Sequence, residues 1–336
     1  MGPSPLAWTA TFRNHEHMPI VKCQVPLGTQ FFAGLPLTDG SIWEIVAGDV
    51  LACAVVSRLI EAMQLRPHDG PPRRLLVLVE GHRADLVPDD GLWDVLPAGA
   101  PVSAARASPE PSLPASWTVL PSKDEDTVVC VLSPAEDGDM LATQLMRLSL
   151  VIGRHAQTRG GLLLHGGLAE RDGCGVILAG PGGIGKTTAS QRLPPPWRAL
   201  CDDTTLVVRD EQGTYWAHPW PTWSDFMFGG PGGTWDVQHA VPLRGIFFLV
   251  QAHEDQVEPL GVGEAVCLLV ESAEQASRPM SRGMEENEVR ALRLQRFDNV
   301  SALAQTVPCY LLRLTLTGGF WHEIERAIAQ NSRDAS

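Results

Sequence analysis

The 336-residue chain reads as an α/β protein with a layered core and a smaller N-terminal α/β or α+β domain. Three observations predict this. Short aliphatic runs alternate with helix-length segments through the second half. A glycine-rich turn joins one aliphatic run directly to a helix. Between the halves, residues 97–126 shift to Pro, Ala and Ser (PAGAPVSAARASPEPSLPAS), the composition of a linker or a long surface loop. The expected organisation is a small domain over 1–96, the linker over 97–126 and a second domain over 127–336.

Within the first domain, Val46 to Leu65 is mostly apolar and suits a helix, which Pro67 to Pro72 breaks. The run Leu75-Leu76-Val77-Leu78-Val79, between Arg74 and Glu80, reads as a buried strand. Val128 to Leu132 reads as another strand. Asp139 to Ile152 reads as a helix, with Met140, Leu141, Leu145, Leu148 and Val151 at helical spacing. In the second half, Leu162–Leu164, Val176–Ala179, Leu206–Val208, Ile246–Val250 and Tyr310–Leu316 are strand candidates. Thr187–Leu193, Val289–Leu303 and Phe320–Ile328 are helix candidates, the first stopped by Pro194-Pro195-Pro196. No internal repeat is present.

Composition narrows the function classes. Apolar residues make up 44% and charged residues 19%, enough to build a core and too apolar for a disordered chain. The net charge is −13, which argues against nucleic acid or an anionic membrane as the main partner, because both need a basic footprint. No apolar stretch reaches the roughly 18 residues of a membrane span. The opening MGPSPLAWTATFRNHEH has neither the basic and apolar regions of a secretory signal nor, with Leu6, the Ser or Thr of a myristoylation site. Seven cysteines, odd in number and never spaced CxxC, predict free thiols and a reducing cytoplasm. His15-x-His17 reads as an ordinary polar pair. Only three lysines occur, Lys22, Lys123 and Lys186.

The third lysine lies in the most informative motif. Residues 180–187, Gly-Pro-Gly-Gly-Ile-Gly-Lys-Thr, form a complete GxxxxGK[ST] loop between a strand and a helix. Glycines let consecutive backbone N–H groups turn inward around phosphate oxygens, and the helix start adds positive potential. Lys186 supplies charge to β/γ-phosphates, and the Thr187 hydroxyl can ligate Mg²⁺. Gly180, Gly182, Gly183, Ile184, Gly185, Lys186, Thr187 and Thr188 are therefore the expected nucleotide contacts. The motif alone names no substrate. Two flanking features sharpen it. His165 closes the strand Leu162–Leu164, and Asp202-Asp203 closes the segment Trp197–Cys201. Strand ends on the edge that carries the loop would set all three around a γ-phosphate. A strand-end histidine and a turn-capping acidic pair are the structural alternatives.

The order strand, His-Gly, Gly-x-Gly hairpin, strand, P-loop, helix, Asp-Asp over 162–208 resembles the HPr-serine kinase/phosphorylase family, grouped with phosphoenolpyruvate carboxykinase. The longer pattern, HPWPTWSDFMFGG at 218–230, TWDVQHAVPLRGIFFLVQAHEDQVEPL at 234–260 and VPCYLLRLTLTGGFWHEIERAI at 307–328, is similar to the SynChlorMet cassette protein ScmC type. The resemblance covers roughly residues 140–330. It implies a P-loop kinase core, ATP with Mg²⁺, and phosphoryl transfer to a Ser or Thr hydroxyl. By it Asp202 is the general base, His165 its orienter, and Asp203 sits beside the Mg²⁺ held by Thr187. Arg244 would neutralise transferring charge. The implied acceptor is a peptide or protein, such as a ribosomally made precursor, with other cassette enzymes as partners and homo-oligomerisation left open. One departure stands out: Pro242 occupies the place of a family glutamate that ligates metal.

That departure keeps a second class open, a nucleotide-gated binding protein with little phosphotransfer. A small GTPase is disfavoured by the lack of an NKxD sequence. Trp216, Trp220, Trp223 and Trp235, interleaved with Pro and Gly, read either as a peptide-binding lid or as packing. His218 and Asp225 are weaker candidates for an approach to the nucleotide.

Overall fold

The computed structural model describes residues 8–9, 24–25, 32–48, 50–66, 73–79, 117–120, 126–134, 138–223, 226, 232–281 and 286–334. The described residues divide into two compact units. One draws on Met1–Leu37, Ser41–Ser149 and Trp223–Thr234, the other on Thr38–Gly40, Leu150–Thr222 and Trp235–Ser336. Lys22, Lys123, Cys23, the His15-x-His17 pair, Asp225, Gly229 and Gly230 lie outside the described residues.

In the first unit, β1 (Trp8–Thr9) and β2 (Gln24–Val25) form a short antiparallel ladder. A five-stranded sheet has the order β3 (Phe32–Pro36), β4 (Ile42–Ala47), β5 (Arg73–Val79), β7 (Thr127–Leu132), β6 (Trp117–Leu120). Its centre is parallel, β4 with β5 and β5 with β7, and both edges are antiparallel. Helix α1 (Val50–Ala62) makes the crossover from β4 to β5. Its buried positions Ala52, Val55, Val56 and Leu59 follow the 3.6-residue period. Leu75, Leu76 and Val77 are consecutively buried, which requires cover on both faces of β5. Two expectations change here. The apolar run 46–65 splits, its first two residues ending β4, where Val46 and Ala47 continue the ladder opposite Leu76 and Val77 of β5. Inside the stretch read as a linker, residues 117–120 form β6, paired with Leu132 to Val129 of β7.

Helix α2 (Gly138–Thr158) is longer than the sequence suggests and contributes residues to both units. The second unit is built on eight strands: β8 (Leu162–Arg171), β9 (Cys174–Ala179), β10 (Arg198–Cys201), β11 (Thr204–Arg209), β12 (Tyr215–Trp220), β13 (Val241–Gln251), β14 (Gln256–Pro259) and β15 (Cys309–Leu314). Strands β8 and β9 form a hairpin through Asp172-Gly173, both at positive φ (52° and 74°), which suits an Asp-Gly turn. The long β8 pairs β11 along its first half and β10 along its second, with β9 on its other side. Strands β9, β13 and β15 are parallel neighbours.

Helices α3 (Lys186–Arg192), α4 (Val262–Ser277), α5 (Glu286–Thr306) and α6 (Trp321–Asp334) complete this unit. Alternate positions Val176 and Leu178, Phe247 and Leu249, and Tyr310, Leu312 and Leu314 share one core cluster with Ala189 of α3 and Ile324 of α6. Phe247 and Tyr310 stack at 4.9 Å. Helix α4 packs on β8, and α5 packs on both α4 and β8. Among the described residues no helix is long and apolar enough to cross a membrane, and the six described cysteines are free thiols.

The tryptophans of the Trp-rich segment pack instead of standing exposed as a lid. Trp220, Trp223 and Trp235 are buried. Trp223 donates Nε1–H to Ser149 Oγ at 2.9 Å, and the half-buried Trp216 donates to Asp210 Oδ2 at 2.8 Å. His218 is also interior. Its Nδ1–H donates to Val237 O at 2.7 Å, leaving Nε2 to accept from the Thr38 hydroxyl at 3.0 Å. Burial pushes its pKa down to about 4, with Val237 and Asp39 partly opposing.

A depressed folded-state pKa makes this histidine an acid-sensitive point. Its stabilising neutral form is fully present above the unfolded pKa of 6.5 and its contribution is lost as pH falls from there toward about 4. The shift amounts to roughly 3 kcal/mol. The stability difference between wild type and His218→Gln, from denaturant titrations at pH 7.5 and pH 4, should shrink by that order on acidification. A pH-independent difference would remove His218 as the sensor.

Candidate functional site

The glycine-rich loop 180–185 links β9 to α3, both in the second unit. Gly180, Gly183 and Gly185 have φ of 150°, 79° and 106°, values that L side chains rarely adopt. Ile184 is half-buried against the core, and Gln251, at the end of β13, donates Nε2–H to its carbonyl at 3.3 Å. The loop is thus anchored at its middle by one apolar contact and one hydrogen bond. Gly182, Thr187 and Thr188 are exposed.

Lys186 opens α3 yet is buried. Its Nζ donates to Gly180 O at 3.0 Å and Pro181 O at 3.3 Å, and lies 2.7 Å from His165 Nε2. Burial lowers its pKa below the usual lysine value, and the carboxylates of Asp203 and Asp202 oppose that shift. An ammonium group has no lone pair, so His165 Nε2 is the acceptor. The ring proton then sits on Nδ1, 3.5 Å from Asp203 Oδ1. Burial also lowers the His165 pKa; Asp203 raises it and Lys186 lowers it further.

Asp202 faces the other way. Its Oδ2 accepts from the Thr187 hydroxyl at 3.1 Å and its Oδ1 from the Thr222 hydroxyl at 3.0 Å. The register explains this division. His165 is paired with Thr204, the neighbour of Asp203. Gly167 lies under the other aspartate, since a Cβ there would come 3.1 Å from Asp202 Cα and 3.0 Å from both Cys201 O and Ser190 Oγ. Only glycine permits that approach without displacing the β10–β11 turn. Gly166 contributes its carbonyl, which accepts from Thr205 Oγ1 at 2.8 Å. Ser272 Oγ on α4 donates to His165 O at 3.3 Å, fixing the histidine's backbone.

The structure therefore gathers Lys186, Thr187, His165, Asp202 and Asp203. It pairs His165 with Asp203, however, and Thr187 with Asp202, the reverse of the partners the resemblance implies. Arg244 is not part of the group. It is exposed on β13 between Leu243 and Gly245, which pair with Gly175 and Val176, at the far end of β9 from the loop. Pro242 sits opposite Trp216 of β12, also away from the loop. His218 is the buried structural histidine described above. Thr222 and Ser272 were missed from the sequence, since single hydroxyls carry no motif. Among the described residues no group of three or more His, Cys, Asp or Glu side chains is placed to hold a metal.

No curated protein matches the chain. The sequence model of one family, SynChlorMet cassette protein ScmC, matches residues 128–329, which is more than half of the chain and contains every residue of the cluster. The chain thus belongs to the SynChlorMet cassette protein ScmC family.

Proposed function

We propose that the protein is an HPr-kinase-like P-loop enzyme that transfers the γ-phosphoryl group of ATP to a Ser or Thr hydroxyl of a peptide or protein in its cassette. The observation that carries this reading is the convergence of Lys186, Thr187, His165, Asp202 and Asp203 beside the glycine-rich loop. Phosphoryl transfer needs little covalent help from protein; it needs positioning and charge neutralisation. Lys186 brings one buried cation with three N–H donors, able to exchange carbonyl and imidazole partners for phosphate oxygens. Asp203, held only by longer contacts to His165 and Thr204, is the carboxylate free to take a proton from an incoming hydroxyl. His165 orients it.

Thr187 and Asp202 offer hard oxygen donors, the type Mg²⁺ takes. Bound there with the nucleotide, Mg²⁺ would neutralise charge on the phosphates. It needs only one or two protein carboxylates, the remainder of its sphere being phosphate and water oxygens. A nucleotide-gated binding role is the second reading, favoured by Pro242 at the place of the family glutamate.

The deciding experiment adds ATP labelled at the γ-phosphate, with the purified protein, to a concentrated lysate of its own host. A labelled peptide or protein that forms with wild type and not with Asp203→Asn is the expected result. ATP bound with neither label nor free phosphate released would transfer the assignment to the binding role.

A further inference from the structure

The edge of the sheet that bears the glycine-rich loop continues past the cluster. Strands β9, β13 and β15 run parallel, so their C-terminal ends open on one side, where ligands of α/β sheets gather. Adjacent strands lie about 4.8 Å apart and β15 runs three residues, about 10 Å, further than β9, so the two ends are roughly 14 Å apart. Hydrogen bonds join the rim from end to end. Gln251 Nε2 donates to Ile184 O, Ala252 N–H donates to Leu314 O at 3.0 Å, and Thr315 N–H donates to Asp255 Oδ1 at 2.6 Å. From below, Arg192 at the end of α3 donates to Thr315 O at 2.7 Å and to Gly318 O. Gly318 N–H closes the loop on Thr315 Oγ1 at 2.7 Å.

On this braced loop sits Leu316, 79% exposed, more than any other large hydrophobic residue described. A single exposed leucine is ordinary. One fixed on a loop tied down by three neighbours, on the rim of a ligand edge, offers a ready apolar surface. Direction supplies the rest of the argument. The groups that meet a γ-phosphate and its acceptor, His165, Asp202 and Asp203, all lie on the β8 and β11 side of the loop. A nucleoside triphosphate anchored there must extend away from them, across β13 and β15.

We propose that the turn 252–255 and the loop 315–319 seat the base of the nucleotide, with Leu316 as its apolar platform. The proposal rests on the nucleotide reading of residues 180–187. Every nucleobase has a π-face that an apolar side chain can cover. A leucine reads no hydrogen-bond pattern, so this platform sets affinity and not the choice among bases.

Calorimetric titration of the full chain with ATP and with tripolyphosphate tests it, using wild type, Leu316→Asn and Leu316→Phe. Wild type should bind ATP more tightly than tripolyphosphate. Leu316→Asn should weaken ATP about five- to tenfold and leave tripolyphosphate within about twofold, since only apolar contact with the base is lost. Leu316→Phe should hold ATP at the wild-type level or better. Unchanged ATP affinity in Leu316→Asn, or equal binding of the two probes by wild type, would overturn the platform while the phosphate loop stood. Failure of both probes to bind wild type would remove the nucleotide reading and the platform with it.

Discussion

Lys186→Ala is expected to weaken ATP binding by roughly 10–100-fold, the equivalent of losing one charged hydrogen-bonding group worth about 1.5–3 kcal/mol. The lysine is buried, so its ammonium meets phosphate with little competing water, which strengthens the interaction. It is also held before any phosphate arrives, by Gly180 O, Pro181 O and His165 Nε2, so little side-chain freedom remains to be lost. The fold should survive. Burial lowers the Lys186 pKa, which means that its charge opposes folding at neutral pH, and removing the charge relieves that cost. Titration calorimetry and a thermal melt together check both parts. Unchanged affinity would dismiss the phosphate-binding role of the loop, and a collapsed melt would reassign the lysine to structure.

Asp203→Asn is expected to lower phosphoryl transfer by roughly 10²–10⁴-fold, the range of a general base, with ATP affinity nearly unchanged. Asp202→Asn should act differently. It alters the partner shared by the Thr187 and Thr222 hydroxyls, so its main effect should be a higher Mg²⁺ requirement. Steady-state rates against Mg²⁺ concentration separate the two. If Asp202→Asn gave the larger turnover defect at saturating Mg²⁺, the base would be Asp202 and the His165 contact to Asp203 a structural one. The pH profile offers an independent sign. His165 has a lowered pKa, so its neutral form prevails in the neutral range and activity should fall on acidification below 6.5. A variant that removes the Lys186 charge should move this acid limb upward, because the lysine is one of the causes of the depression.

Much of the site was readable because its chemistry is local. The loop 180–187 carries its own backbone requirements, and the glycines at 180, 183 and 185 occupy the positive-φ positions that the motif demands. Hydrophobic runs at 75–79, 128–132, 176–179 and 246–250 announced strands, since two-face burial leaves continuous aliphatic sequence. Helix α4 escaped notice, although Ala265, Leu269 and Ala273 are buried at spacings of four. Small alanines and a Gly-Val-Gly start weaken the amphipathic signal there. The tryptophans of 216–235 left two readings open, and the structure takes the packing one for a physical reason. Their Pro and Gly neighbours suggest an exposed loop, but an indole buries a large apolar area and its N–H finds a partner inside, as Trp223 does on Ser149.

What the sequence determined by itself was a set of groups: a glycine-rich GxxxxGKT loop with its lysine, one histidine and a carboxylate pair within forty residues, on an α/β frame of a cassette family. Which carboxylate meets which partner was a matter for tertiary structure. Adjacent residues at a turn point in different directions, and strand register alone puts Thr204 beside His165 while Gly167 makes room beneath Asp202. Register likewise separates Arg244 from the loop, although both lie near strands that pair. A spacing in sequence states how far apart two groups can be; only the pairing of strands states which edge of the sheet each one reaches.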